Sequence, residues 1–309
     1  LKIMFMGTSN FAVPILEGLI KNYGVRVVVS QPNRNKKDGV LIDTPVKKCA
    51  DEHTVLVLQP ENIDEAVVEL LSLEPDLIIT CAYGQKLPKT ILDYPRLGCY
   101  NVHASLLPKL RGGAPIQRAL IKGFTETGIT IIKMAEALDA GDIIIKKIIP
   151  IFDEDNATTL ANKLSVLGRD LLLEIMPSIL EGKVNLEAQN KDEATFAFTI
   201  KKNDEKIDFA KSSKQIFNLV RGLAEIPGAY CLVDNKRLKV FKSRISDNFF
   251  EHAVPGEITA IYEDGFGVKA GNREIIFLEV QPEGGNKMSA VDYIRGLANR
   301  EKVIGKILR

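Results

Sequence analysis

The chain has 309 residues, is 45% hydrophobic and 26% charged, and carries a formal net charge of +1. That is long enough for two hydrophobic cores and too near neutral for recognition of nucleic acid by bulk charge alone. No apolar run reaches the ~18 residues of a membrane span, and three histidines with four cysteines in no Cys-x-x-Cys spacing predict no metal site. The opening residues 1–7 read as a buried first strand, not a signal peptide. A helical pattern follows at 11–23, with Val13, Leu16, Leu19 and Ile20 on its apolar positions, then a strand at 25–29. An amphipathic helix is predicted over 63–73, and strands over 77–81 and 98–102. A helix over 114–122 and a strand pair, 129–134 and 142–150, come next. The region ends in a long helix over 158–180 with Leu160, Leu164, Leu167, Leu171 and Ile175 on one face. Such alternation predicts an α/β fold, with a Rossmann-like, mostly parallel sheet carrying helices on both faces.

Around residues 182–204 the pattern breaks into polar and charged stretches, which predict an interdomain linker at 185–204 between domains at 1–184 and 205–309. The later region carries 17 basic and 14 acidic residues, a mildly positive balance. It shows a helix at 213–223 and short strands at 228–233, 238–242, 256–262, 265–270 and 274–280. A helix near 289–297 completes the pattern of an OB-like β-barrel. Cys49, Cys81, Cys99 and Cys231 are expected as buried, reduced thiols, as in a cytoplasmic protein.

The chemistry concentrates in Asn101-Val-His103-Ala-Ser105-Leu106-Leu107-Pro108 and in Leu138-Asp139-Ala-Gly141-Asp142. Each segment ends an apolar run, where an α/β sheet opens its ligand crevice. Asn101 and His103 are two apart, so in an extended chain they point to one side. An amide donor, a titratable ring and an acid converging there suit acyl transfer to an amine. No Ser or Cys stands in a recognisable nucleophile setting, so the group would pass directly between substrates. Asp142 competes with Asp139 for the acid's part. His53 and His252 lack such neighbours and read as surface residues. The single glycine of Gly7-Thr-Ser-Asn-Phe-Ala is not the spaced set of a dinucleotide fingerprint.

These segments resemble the folate-dependent formyltransferases, and the resemblance spans nearly the whole chain. It rests on Phe5-Met-Gly7-Thr-Ser-Asn-Phe11, on Gln31-Pro-Asn-Arg34 with Thr44-Pro45, and on Ala82-Tyr-Gly84 with Leu87-Pro88. The specific block runs from Leu97 through Asn101-Val-His103 to Gly112-Gly-Ala-Pro115-Ile-Gln-Arg118, joined by Leu138-Asp139-Ala-Gly-Asp142 and Ile207-Asp208-Phe209. The resemblance implies that 10-formyltetrahydrofolate donates its formyl group to the α-amine of methionine on initiator tRNA, a step of translation initiation. Asn101 and a protonated His103 would then stabilise the anionic oxygen of a tetrahedral species, and Asp139 would orient His103 and help move the proton. It further implies that Ser105, Leu106, Leu107 and Pro108 bind the folate, with Tyr83-Gly84-Gln85 as a further wall. The basic loop holding Arg34, Lys36 and Lys37 would meet the tRNA acceptor arm, with Lys202 as a second contact and the protein a monomer.

The sequence departs from the family's usual pattern at several places, among them the loop 35–39, where a Pro/Gly/Arg-rich stretch is usual and Asn-Lys-Lys-Asp-Gly stands instead. Asn10 and Asn33 stand where Asp is common, and Ile226 precedes Pro227 where Trp is common. Three other readings stay open: a formyltransferase for a small amine such as a glycinamide nucleotide or an amino sugar, a formyltetrahydrofolate hydrolase, and a non-catalytic tRNA- or folate-binding module.

Overall fold

Every residue of β1 (Ile3–Gly7) is buried, as in a strand covered on both faces. A computed structural model describes residues 1–34, 36–37, 39–297 and 303–309, without the side chains of Lys36 and Lys37. They fall into two compact units: 1–115 with 126–150 and 161–198, and 116–125 with 151–160 and 199–309.

In the first unit, β1 is followed by α1 (Val13–Tyr23), β2 (Val27–Val29), a short hairpin of β3 (Lys36–Lys37) and β4 (Val40–Leu41), then α2 (Pro45–Glu52) and β5 (Leu56–Leu58). Next come α3 (Val67–Ser72), β6 (Leu77–Cys81), α4 (Lys89–Asp93) and β7 (Cys99–His103). Helix α5 (Pro115–Ile121) passes into the second unit; β8 (Glu126–Lys133) and β9 (Ile143–Pro150) return, and α6 (Ala157–Leu180) follows. The seven-stranded sheet has the order β5-β2-β1-β6-β7-β8-β9. Its first five strands are parallel, and β8 and β9 run antiparallel.

Alternation along the strands assigns the two faces. Met4, Met6, Val27, Val29, Ile78 and Cys99 pack with Leu70 of α3 and Ile91 of α4. On the opposite face α6 lies so close that a Cβ on Gly168 would sit 3.0 Å from Val102 and 3.3 Å from Ile15 of α1. Helices therefore cover both faces. Since Val102 faces α6, Asn101 and His103 point the other way.

The expected helix over 63–73 starts only at Val67, because the Gln85 side chain accepts the Ile63 amide at 2.8 Å and residues 63–66 form turns. Helix α2, which periodicity did not reveal, begins at a Thr44 cap that accepts from the Lys47 amide, with Pro45 in the first turn.

The second unit contains α7 (Ser213–Leu223) and the strands β10 (Ala229–Val233), β11 (Lys236–Ile245), β12 (Ile258–Ile261), β13 (Phe266–Lys269), β14 (Glu274–Pro282) and β15 (Met288–Ser289), then α8 (Ala290–Arg295). The antiparallel sheet runs β10-β11-β14-β13-β12, with β15 beside β14. Its open edges, β10 and β12, are both paired with residues 305–309. Leu232 and Arg309 exchange amide hydrogen bonds, Ile258 donates to the Lys306 carbonyl, and Leu308 donates to that of Gly256. One short segment thus closes the barrel and removes its edges.

Residues 185–204, expected as a linker, are shared between the units. Residues 187–197 hydrogen-bond within the first: Glu187 pairs with Ile143, Thr195 with Pro108, and Ala197 with Arg111 and Ala114. Residues 199–204 belong to the second. A polar stretch docked by backbone pairing has the same composition as a solvated connector, which is why the sequence pattern does not separate them. Among the described residues no helix is long and apolar enough to cross a membrane. All four cysteines are free and buried. Burial pushes the thiols of Cys49 to about 11 and of Cys99 and Cys231 to about 12, and that of Cys81 upward as well.

Candidate active site

Strand β7 places Asn101 and His103 side by side at the carboxyl end of the sheet. Asn101 pairs in register with Thr80 of β6. The Thr80 hydroxyl donates to Asn101 Oδ1 at 2.8 Å, which fixes the sense of the amide. Nδ2 is thereby turned to Asp139 Oδ1, at 3.3 Å. One N–H of that nitrogen remains for a ligand oxygen.

His103 is held from its other side. Its Nε2 lies 3.0 Å from the Leu110 carbonyl, an acceptor only, so Nε2 carries hydrogen and donates. Its Nδ1 then faces the acid, 3.6 Å from Asp139 Oδ2, with both side chains nearly buried, 7% and 11% exposed. A neutral ring would present a lone pair to a carboxylate there. With a proton on Nδ1 that contact is an ion pair.

Asp139 stands in the left-handed region at φ +49°. Its Oδ2 also accepts the Gly112 amide at 2.8 Å. Gly112 has φ +117°, and a Cβ there would meet the Ala197 carbonyl oxygen at 2.9 Å, so glycine is required on both counts. Asp142 has no ion pair among the described residues, and its carbonyl accepts from the Lys133 amide. The carboxylate that meets His103 is that of Asp139. His53 and His252 are exposed and lie outside this cluster.

The four residues 105–108 lie on the loop leaving β7. Ser105 is fully buried and donates its hydroxyl to the Lys109 carbonyl. Thr130 donates to the Ser105 carbonyl and accepts the Leu107 amide, and Leu107 is 1% exposed. Leu107-Pro108 is a cis peptide. Much of the segment's polar main chain is therefore paired within the protein. Leu106 and Pro108, both half-buried, are the side chains with surface left for a ligand. Nearby, Thr8 donates to the Tyr83 carbonyl, and Gly84 lies against the Gln31 side chain.

In the basic loop, Asn33 donates to Asp43 at 2.6 Å and its Oδ1 accepts from the Thr44 amide and from Gln59. An amide serves here as both donor and acceptor, which a carboxylate could not do. Arg34 is exposed, 3.5 Å from Glu61. Lys36 and Lys37 form a strand opposite Leu41 and Val40; their side chains lie outside the described residues. Lys202 is exposed at the start of a 3-10 turn, in the second unit. The loop cations and Lys202 thus belong to different units.

Sequence reasoning missed Thr80, Leu110, Arg111, Gly112, Gln189 and Thr195. Only Thr80, a hydroxyl at the end of an apolar run, left a local signal; Leu110 and Gly112 act through backbone groups, Gln189 and Thr195 lie in a stretch that reads as linker, and the Arg111 side chain has its partner in that stretch.

The comparisons with known proteins bear on the whole chain. Residues 1–176 match the family described as formyl transferase, and residues 199–298 match the formyl transferase C-terminal domain. The methionyl-tRNA formyltransferase of Bacillus licheniformis is 46% identical over 300 residues, covering 96% of this chain and 95% of that protein. That of Halalkalibacterium halodurans is 45% identical over 314 residues, covering 100% and 98%. Among solved structures, an N-formyltransferase from Helicobacter canadensis, in complex with folinic acid and dTDP-3-aminofucose, superposes with a TM-score of 0.69. It is 21% identical and covers 90% of this chain and 99% of its own; at that identity the likeness speaks to the fold.

Proposed function

Because the chain belongs to the formyl transferase family, we propose that it transfers the formyl group of 10-formyltetrahydrofolate to the α-amine of methionyl initiator tRNA, in the cytoplasm, as a step of translation initiation. The observation that carries this reading is the convergence of Asn101 Nδ2 and His103 Nδ1 on one nearly buried carboxylate. The acceptor is supported by the near-complete coverage of relatives named for methionyl-tRNA.

Attack of a neutral amine on a formyl carbon places negative charge on the formyl oxygen. Asn101, its amide fixed by Thr80, offers the free N–H to that oxygen, and the Nδ1 proton of His103 offers a second donor. Donors held in place before the charge develops lower the barrier most, by about 3 kcal/mol each where one has been removed in other enzymes. Asp139 faces the Nδ1 side of the ring and would receive the proton that the attacking amine loses, then pass it to the folate nitrogen as the carbon–nitrogen bond of the donor breaks and the tetrahedral species collapses to the formylated amine. The folate is the formyl donor, and the residues fit it in kind: Leu106 and Pro108 offer apolar surface on a loop braced by Thr130, beside the Tyr83–Gln85 turn. Arg34, Lys36, Lys37 and Lys202 are proposed as phosphate contacts, and the barrel of the second unit as a tRNA-binding domain.

The test is formyl transfer from 10-formyltetrahydrofolate to charged initiator tRNA, beside a glycinamide nucleotide, an amino sugar nucleotide, and no acceptor. The expected result is transfer to the tRNA at least about 100-fold above either small amine, a gap of about 2.7 kcal/mol in transition-state binding. Faster transfer to a small amine, or folate turnover needing no acceptor, would overturn the acceptor assignment.

A further inference from the structure

We infer that Gln189 is a positioning residue for the reaction, holding the main chain of Asp139 in place through a clamp with Arg111. The inference rests on the reading of Asp139 as the acid. Arg111 is 8% exposed, and among the described residues no carboxylate lies within ion-pair distance of it. Its Nε and Nη2 both donate to Gln189 Oε1, at 3.1 and 2.7 Å. A guanidinium cannot accept a hydrogen bond, so the amide has one possible sense, with its nitrogen on the far side. There Nε2 donates to the carbonyls of Asp139 at 2.9 Å and of Gly141 at 2.7 Å. Every hydrogen-bonding position of this amide is filled.

The turn it grips is not one that Asp139 would adopt freely, given a φ of +49°. It is also packed tightly against β8, for a Cβ on Gly141 would fall 1.9 Å from the Lys133 carbonyl oxygen. Two neighbouring residues thus hold Asp139 at both ends. Arg111, through Gln189, secures its main chain, and the Gly112 amide secures its carboxylate. The same 189–197 segment fixes the histidine. Leu110 donates its amide to Thr195 Oγ1, and its carbonyl receives the Nε2 proton of His103. Arg111 pairs with Thr195 and Ala197 through its main chain. The acid and the imidazole are therefore aligned by one strap.

The test is a double-mutant cycle between Gln189→Glu and Asp139→Asn, read by steady-state formyl transfer in the full-length protein. Gln189→Glu keeps a partner for Arg111, indeed a charged one, but replaces the two N–H donors on the turn with an oxygen. In the parent background kcat is expected to fall about 10- to 100-fold with both KM values within about threefold. In the Asp139→Asn background the same change is expected to cost less than about twofold, because a residue acting through Asp139 has nothing left to position. A fall of equal size in both backgrounds, or an unchanged kcat in the parent, would overturn the inference. Full activity in Asp139→Asn alone would instead remove Asp139 as the acid. Should circular dichroism show Gln189→Glu unfolded, Gln189→Asn runs through the same cycle: it keeps the amide but is one methylene too short for all its partners.

Discussion

Asp139 is the point at which the site's hydrogen bonds meet: Asn101 and Gly112 donate to its carboxylate, Gln189 to its carbonyl, and His103 faces it. The imidazole has Nε2 committed to the Leu110 carbonyl, which leaves Nδ1 as the ring nitrogen facing Asp139 and the proposed formyl oxygen. His103→Ala is therefore expected to lower kcat by about 100- to 1,000-fold, with circular dichroism and tRNA affinity near those of the parent. Retained turnover in a folded His103→Ala protein would take the histidine out of the mechanism. The same spacing logic that put Asn101 and His103 on one side of a strand was readable from two residues' separation. The orientation of the Asn101 amide was not, since it depends on a hydroxyl 21 positions away on β6.

Among the elements, the two sheets differ in how they protect their edges. The first sheet ends on β5 and β9, whereas the second has its open strands joined by residues 305–309. Leu308 anchors that closure at 2% exposure, packed in the core with Ile207, Phe209, Val233 and Val268. Leu308→Ala is expected to destabilise the second unit by about 2–4 kcal/mol, through lost transfer energy and the cavity it leaves. Urea unfolding followed by a probe in the barrel checks this, and a midpoint unchanged from the parent would show that the closing segment bears little of the barrel's stability. Strands β10 to β14 were legible from their turns and alternation. The closing segment was not, as a five-residue run carries too little periodicity to register as a strand.

Across the molecule, the units do not follow a single cut in the chain. Segments 116–125 and 151–160, from the first half of the sequence, belong to the second unit. There Ile121 packs against its core, Arg221 donates to the Phe152 carbonyl, and Lys214 pairs with Asp153. A fragment ending at residue 204 would keep these segments and lose what they pack on. It is expected to aggregate, or to melt at least about 5 °C below the full chain, as a loss of about 2 kcal/mol would produce in a fragment of that size. Calorimetry on fragment and parent decides, and a fragment as stable as the parent would mean that the first unit folds without the second.

The alternation of apolar runs, the same-side placement of Asn101 and His103, and the specific block around them were all local facts. They follow from the periods of strand and helix, which any stretch of a few residues displays. That sufficed for an α/β sheet and a β-barrel, while the proposed chemistry was implied by the family resemblance that the block carries. The contact of the Asp139 carboxylate with His103, the docking of residues 187–197 on the first unit, and the clamp of Arg111 on Gln189 arose only when distant segments met. Each rests on hydrogen bonds between groups dozens of residues apart, and polar residues that pair with protein look in sequence like polar residues that pair with water.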